Sequence, residues 1–537
     1  MTENSYLYTC AAHSIQGYVF SDEKLKEVVG ASTLVDQIPR VLIEAAQNLT
    51  REQSVVPPTV LGKAAGMVTL GFEHRNEADA FARIAPFLLH CHAPGLPFTQ
   101  AVTPIENGKL GEAMDAAAKT RRTNRNRPLC EFPEATGILE RAARSGEPAG
   151  KPTAEKSDYG SVSAKAKAKL DCFGQGQGTH GLLARLLPEN FEDSLYQRFP
   201  QDFTDFTKGE AEYIAIIHAD INGLGNRVTS FLEGLDDKKD LLEAQNSYTQ
   251  FSEGLTACGE AAVSKGLEGL LEKPEYQKSN EANKAPEIPF RPLVAAGDDV
   301  TCVLHARDAF KFTQTVLHVL KEKAETLFKE LGIQEPLYAA AGIAIIKPSY
   351  PFSRGYALAE SLCEFTKQET RRNFSALAFH RLTTALIDDY PAYLTSKERH
   401  GLTNPDGLCL TMNPYALEAN GEFPGIKQLA TLAESAKKLP RGSLRGFCGR
   451  LQSQPGLAEK DWKRLFEFQS RKTQPKVALQ DFRDALTAIV PPGSESGQAP
   501  AFAHENRTPI FDALEWNMIH PRESEQPANS TPEPEPA

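Results

Sequence analysis

Val294-Ala-Ala-Gly297-Asp298-Asp299-Val300-Thr-Cys302 holds a glycine and two adjacent carboxylates between an apolar run that enters and another that leaves. Two strands joined by a tight turn that carries acid to its tip have this pattern. Upstream, the buried-strand run Tyr213-Ile-Ala-Ile-Ile-His-Ala219 ends at Asp220 and continues as Ile221-Asn222-Gly223-Leu224-Gly225. Taken singly, Asp-Asp in a hairpin and Asn-Gly after a strand are ordinary turn signals. Together they are more specific, because both acid groups end strongly apolar runs and so can share one sheet edge. A strand ending in Asp beside a hairpin tipped with Asp-Asp makes a divalent-metal site, since Mg²⁺ or Mn²⁺ prefers a few carboxylate oxygens plus substrate phosphates.

The chain has 537 residues, room for three or four domains, and its 41% hydrophobic and 24% charged residues predict a globular, soluble protein. No apolar run reaches the length of a membrane span and the N-terminus has no signal-peptide pattern. Nine scattered cysteines without a C-x-x-C pair argue against a zinc knuckle or disulfide framework and point to the reducing cytoplasm. His90-Cys91-His92 falls late in an amphipathic helix, where neighbouring side chains diverge, and reads as structural. The net charge of −11 favours a small-molecule substrate or protein partner over a stand-alone nucleic-acid binder. The basic stretches Lys119–Arg127, Lys165–Lys169 and Lys437–Arg450 read as solvated faces.

Residues 6–12 read as a strand and Ser14–Phe20 as a turn with a second apolar piece. Leu25–Ala46 reads as a helix that Pro39 kinks or breaks. Ala64–Leu70 reads as a hairpin and 76–90 as a helix. An internal repeat then emerges. Ala64-Ala65-Gly66-Met67-Val68 stands beside Ala295-Ala296-Gly297-Asp298-Asp299, and Ala78-Asp79-Ala80-Phe81 beside Arg307-Asp308-Ala309-Phe310. The first copy, with Met67 and Val68 opposite the acids, cannot hold a metal there. Residues 95–205 include a polar, poorly periodic middle, with 146–159 a linker and the Gly-Gln-Gly-Gln-Gly run at 174–178 a flexible loop. Residues 235–248 read as a polar connection and 272–289 as a loop. The second copy continues with a helix from Asp308 stopped at Gly332, a buried strand over Tyr338–Ile346 and a helix over Tyr356–Lys367. The fold class is therefore α/β (α+β). The expected domains are a degenerate first α/β domain at 1–128, a linker or helical insert at 129–206, the acid-bearing domain at 207–385, a helical domain at 386–490 and a largely disordered tail at 491–537, apart from Ile510–Ile519.

Four stretches, in order, resemble the large palm-domain subunit of type III CRISPR effector complexes. They are Ser14-Ile-Gln16 with Lys24–Ser32; Ala219-Asp220-Ile-Asn222-Gly223-Leu-Gly225; Ala296-Gly297-Asp298-Asp299, beside the family's GGDD signature; and Gly342–Lys347 with Pro351-Phe352 and Ala359–Lys367. The resemblance spans roughly residues 6–485. It implies two ferredoxin-like palms, the second catalytic, and synthesis of cyclic oligoadenylates from ATP. Two departures stand out. Ala296 replaces the first glycine of GGDD, which is mild at negative φ and serious at positive φ. No His-Asp dipeptide and no nuclease domain ahead of the first palm are seen, so DNA cleavage is not expected.

The implied chemistry is attack of a ribose hydroxyl on an ATP α-phosphate, with Mg²⁺ or Mn²⁺ held by Asp220, Asp298, Asp299 and the Ile221 carbonyl. Asn222, Gly223, Gly225 and Gly297 form the close-approach turns for the triphosphate. By the same resemblance, Lys367 reaches a phosphate, and Ser14 and Gln16 hold a second ATP against the first palm. Further partners implied are other effector subunits and guide or target RNA. The rival readings are a non-catalytic RNA- or protein-binding scaffold and another palm enzyme, such as a diguanylate cyclase or a polymerase.

Overall fold

The computed structural model describes residues 5–52, 56–126, 139–150, 161–174, 177–187, 198–207, 212–238, 240–277, 288–333, 336–382, 387, 389–396, 401–420, 422–469, 475–489, 503 and 506–520. Most of the 146–159 linker, much of 272–289 and residues 521–537 of the tail lie outside this set. The chain divides into two compact units, one of Met1–Lys208, Ile216–Ala339 and Pro348–Tyr356, the other of Gly209–Ala215, Ala340–Lys347 and Ala357–Ala537.

The first unit opens with β1 (Tyr6–Ala12), α1 (Ile15–Val19), α2 (Leu25–Glu52), β2 (Thr59–Ala64), β3 (Met67–Phe72), α3 (Arg75–His92), β4 (Phe98–Pro104) and α4 (Leu110–Arg125). Its antiparallel sheet has the order β2-β3-β1-β4, which is the ferredoxin-like βαββαβ arrangement. Two readings need correction here. Between Ser14 and Phe20, Ile15–Val19 form a short helix rather than a turn. Pro39 lies inside α2 without ending it, because Leu34, Val35, Ile38, Leu42 and Ala46 keep one buried stripe across the proline, and packing outweighs the lost hydrogen bond. Strand β4 and helix α4 complete this first domain, and Lys119–Arg125 form the last turns of α4.

There follow the two-residue strands β5 (Ala149–Gly150) and β6 (Val162–Ser163), then α5 (Ala164–Gly174) and α6 (Gln177–Leu186). The run at 174–178 thus starts as the end of one helix and finishes as the start of the next. Lys169, read as a solvated cation, is fully buried: its Nζ donates to the Tyr18 carbonyl at 2.7 Å and pairs with Asp22.

The second run of the same pattern comprises β7 (Ile214–Ile221), α7 (Leu224–Leu235), α8 (Leu241–Leu271), α9 (Pro274–Gln277), β8 (Phe290–Ala296), β9 (Asp299–His305) and α10 (Ala309–Glu330). The polar connection is confined to 236–240, since α8 already starts at Leu241. Strands β7, β9 and β8 neighbour one another in that order, as β1, β3 and β2 do. Both hairpins bulge at the same place, at Leu61 between Val60 and Gly62 and at Leu293 between Pro292 and Val294. The closing pairs are Ala64 with Met67 and Ala296 with Asp299. The letter match read from sequence is therefore off by one residue: Gly66 and Met67, not Met67 and Val68, occupy the places of Asp298 and Asp299.

The two halves exchange matching contacts. Thr249 of α8 donates its hydroxyl to the bulge carbonyl of Leu61 at 2.9 Å, and Ser32 of α2 donates to the bulge carbonyl of Leu293. Val35 of α2 accepts from the Gly66 amide at 3.0 Å. In α8, a Cβ at Gly259 would lie 2.6 Å from the Gly297 carbonyl oxygen, so only glycine lets this helix touch the second turn.

The second unit holds most of β10 (Ala339–Ile346) and of α11 (Phe352–Glu369), then β11 (Ala376–Arg381), α12 (Tyr390–Thr395), β12 (Tyr415–Ala416), α13 (Ile426–Lys437), α14 (Arg441–Ser453), α15 (Pro455–Gln469), α16 (Pro475–Ile489) and α17 (Ile510–Ile519). A Cβ at Gly342 would sit 2.0 Å from the Ala359 carbonyl oxygen, so the helix rides directly on the strand. Helix α17 is tied in by Glu515 to Arg381 and by buried Asp512, whose Oδ2 accepts from the Tyr415 hydroxyl, the Thr411 hydroxyl and the Met412 amide. Burial pushes the Asp512 carboxyl up to about 7. No helix among the described residues is long and apolar enough to cross a membrane.

Candidate active site

The acid-bearing turn is a two-residue hairpin loop, Gly297-Asp298. Gly297 has φ +75, the positive first position of a II′-type turn, which matches the twist of the flanking strands. Ala296 is the last residue of β8, paired opposite Asp299 in extended backbone. The residue that replaces the first glycine of the motif therefore holds a strand position, which needs no positive φ.

Asp298 and Asp299 are half-buried. Asp299 Oδ2 accepts from Gln16 Nε2 of α1 at 3.1 Å, and its Oδ1 lies 3.3 Å from Nδ1 of His218, whose ring is also 3.2 Å from the Thr301 hydroxyl. His218 and Asp220 share one face of β7, being two residues apart; β7 neighbours β9. Asp220 is half-buried and the next residue, Ile221, is buried. Asn222 is 2% exposed, donates its amide to the Tyr338 carbonyl at 2.7 Å, and keeps both polar side-chain atoms unbonded among the described residues. Gly223 caps α7 in the left-handed conformation, φ +70. Arg227 clamps this turn through Nη1 to the Asn222 and Gly223 carbonyls at 3.1 and 3.2 Å, and through Nη2 to that of Pro336 at 2.7 Å. Gly225 lies in the first turn of α7, where a Cβ would meet nothing within 4 Å.

A cavity of about 650 Å³ opens beside Asp299. Ser14 and Gln16 line it with Ser32, Gly66, Arg125 and Asp299; Asp220 and Asp298 do not. The structure thus brings Ser14, Gln16 and Asp299 to one cavity. Lys367 lies in α11, in the second unit. His92 of the His-Cys-His run bonds the Leu34 carbonyl at 2.9 Å, as a structural histidine does. Sequence reasoning missed His218, Arg227 and Gly259. The first could have been found from its two-residue spacing to Asp220; the other two act through tertiary approach and leave no local signal.

Residues 213–376 match the family model of the Cas10/Cmr2 second palm domain. Over that segment the chain is similar to a palm of this family. The palm's matched residues contain the Asp220 strand, the Asp298-Asp299 hairpin and α11. Among solved structures, the Csm1–Csm4 cassette in complex with cA3 aligns with a TM-score of 0.51 at 12% identity, over 97% of this chain and 70% of that one. The cassette in complex with AMPPNP aligns at 0.50, with the same identity and coverage. At such identity the likeness is one of fold. No curated protein sequence matches the chain.

Proposed function

We propose that this protein is a divalent-metal-dependent nucleotidyltransferase that builds cyclic oligoadenylates from ATP, as the palm subunit of a CRISPR-type antiviral effector with a Csm4-like partner and guide or target RNA. The observation that carries this is Asp299 on the wall of a cavity shared with Ser14 and Gln16 of the degenerate palm, bonded to Gln16. An acid of one palm facing a nucleotide-sized cavity walled by the other is what joining two nucleotides requires. The cA3 and AMPPNP bound in the related cassettes are the product and substrate classes of that chemistry.

The donors present suit Mg²⁺ or Mn²⁺: hard carboxylate oxygens of Asp220, Asp298 and Asp299, with the Ile221 carbonyl. Among the described residues no three His, Cys, Asp or Glu side chains converge to hold an ion unaided, so substrate phosphates would complete the set, as Mg²⁺ sites commonly need. A cation held by these groups would lower the pKa of the attacking hydroxyl and neutralise charge on the leaving group. The hydroxyl oxygen of one nucleotide bonds to the α-phosphorus of the other, the α–β bridging bond breaks, pyrophosphate leaves, and the hydroxyl proton passes to solvent. Gly223 and Gly225 leave the first N–H groups of α7 open to the triphosphate. The unbonded Asn222 amide supplies a further donor and acceptor, Gly297 shapes the turn that presents the acids, and Ser14 and Gln16 seat the second nucleotide.

The test is incubation of the purified full chain with labelled ATP and Mn²⁺ and separation of the products. Cyclic oligoadenylates with pyrophosphate are expected. Failure to convert any of the four ribonucleotides, with or without target RNA, would leave the scaffold reading; products from GTP alone would favour a different palm enzyme.

A further inference from the structure

The cavity lining is basic as well as acidic. Arg125, in the last turn of α4, lines it together with His13. The Arg125 side chain is exposed and has no hydrogen bond or ion pair among the described residues. One turn earlier, half-buried Arg121 has its Nε shielded from water and unbonded. His13 Nε2 is 2.6 Å from the Thr99 hydroxyl. Burial, then the charges of Arg125 and Arg121, lower its pKa, which disfavours a further positive charge on His13. Asp36, the other carboxylate on the lining, is taken by a two-pronged pair with Arg185 at 2.6 and 2.9 Å. The turn that carries these arginines is fixed, since Asn124 Nδ2 donates to the Gln100 carbonyl at 3.3 Å. In a chain of net charge −11, an arginine without a carboxylate on a cavity wall marks a place for an anion, and the charge of Arg121, one turn away and off the lining, adds to it.

We propose that Arg125, backed by Arg121, binds the 5′-triphosphate of the acceptor nucleotide, the one whose ribose hydroxyl attacks. This rests on the nucleotidyl-transfer reading above. The donor's triphosphate belongs with Asp220, Asp298 and Asp299. An acceptor seated at Ser14 and Gln16 must direct its own triphosphate away from those carboxylates, and Arg125 is the unneutralised cation on the same wall. Arg125 is a positioning residue here, for it touches the acceptor's phosphates and not the reacting atoms. A helix C-terminus also attracts cations in its own right, so the test must read a ligand.

The full chain, Arg125→Ala and Arg125→Lys are compared in two arms. In the first, inorganic tripolyphosphate is titrated calorimetrically in EDTA. Arg125→Ala should weaken binding about tenfold, the loss of one charge-assisted contact, and Arg125→Lys should recover part of it. In the second arm, labelled ATP is the donor and either ATP or adenosine is the acceptor. The unaltered protein should prefer ATP as acceptor; Arg125→Ala should lose about tenfold of that preference while the KM of the donor stays put. Equal tripolyphosphate binding and an unchanged acceptor preference would overturn the assignment even if ATP is converted. If no product forms in any arm, the nucleotidyl-transfer reading fails, and the tripolyphosphate titration still supports or overturns the anion site.

Discussion

The β2–β3 hairpin turns through Ala65 and Gly66, and the β8–β9 hairpin turns through Gly297 and Asp298. Each has one positive-φ glycine, +74 at Gly66 and +75 at Gly297, but on opposite sides of the turn. In the first hairpin the glycine fills the second central position and Met67 follows. In the second it fills the first, which leaves the next position free for Asp298, with Asp299 to follow. The bulges at Leu61 and Leu293, the threonines Thr69 and Thr301 facing them, and the hydroxyl contacts from Thr249 and Ser32 are shared. The scaffold has been kept twice, and three residues at each tip, Ala65-Gly66-Met67 against Gly297-Asp298-Asp299, distinguish a hairpin that can present carboxylates from one that packs.

The change that should matter most makes the second hairpin as acid-free as the first. Asp298→Ala/Asp299→Ala is expected to reduce ATP turnover with Mn²⁺ by roughly three orders of magnitude or more, the scale of losing electrostatic stabilisation at the reacting phosphate. Its melting temperature without metal should be unchanged or slightly higher, because clustered carboxylates repel. A destabilised variant that still converts ATP would mean that the acids serve only the turn.

Next comes Gly259→Ala, which presses a methyl against the Gly297 carbonyl. Displacing the acid turn should lower turnover about tenfold to a hundredfold, on the scale of a misplaced catalytic group, although alanine by itself favours the helix. Turnover and melting temperature equal to wild type would show that α8 does not set the position of the hairpin.

Smaller effects are expected on stability from Gly297→Ala and Gly66→Ala, about 1–2 kcal/mol each for forcing an alanine to positive φ. Chemical denaturation should find the two losses alike, since both turns need one left-handed residue; turnover should suffer more for Gly297→Ala. The smallest effect belongs to Ala296→Gly, which restores the missing glycine. Extended backbone gains nothing from it, so turnover should stay within about twofold and stability fall by about 0.5–1 kcal/mol. A large rise in turnover would show that the alanine restrains the site.

The sequence by itself determined the elements that end in acid. Apolar runs broken by Asp220 and by Gly297-Asp298-Asp299 place strands and a hairpin through side-chain alternation and turn chemistry alone, both of which are local. The repeat was legible for the same reason, but only to within one residue. Letters align glycine with glycine, whereas the ladder aligns closing pair with closing pair, and the glycines sit on opposite sides of their turns. Prediction also placed a kink or break at Pro39, where a long buried stripe carries α2 on through the proline, and left Lys169 in solvent, where Asp22 and the Tyr18 carbonyl bury it. Only the tertiary structure decided that Gln16 and His218 meet Asp299, that Gly259 touches the acid turn and that Arg125 shares its cavity. Those contacts join residues far apart in the chain, and their energy comes from close approach and desolvation, which no local pattern records.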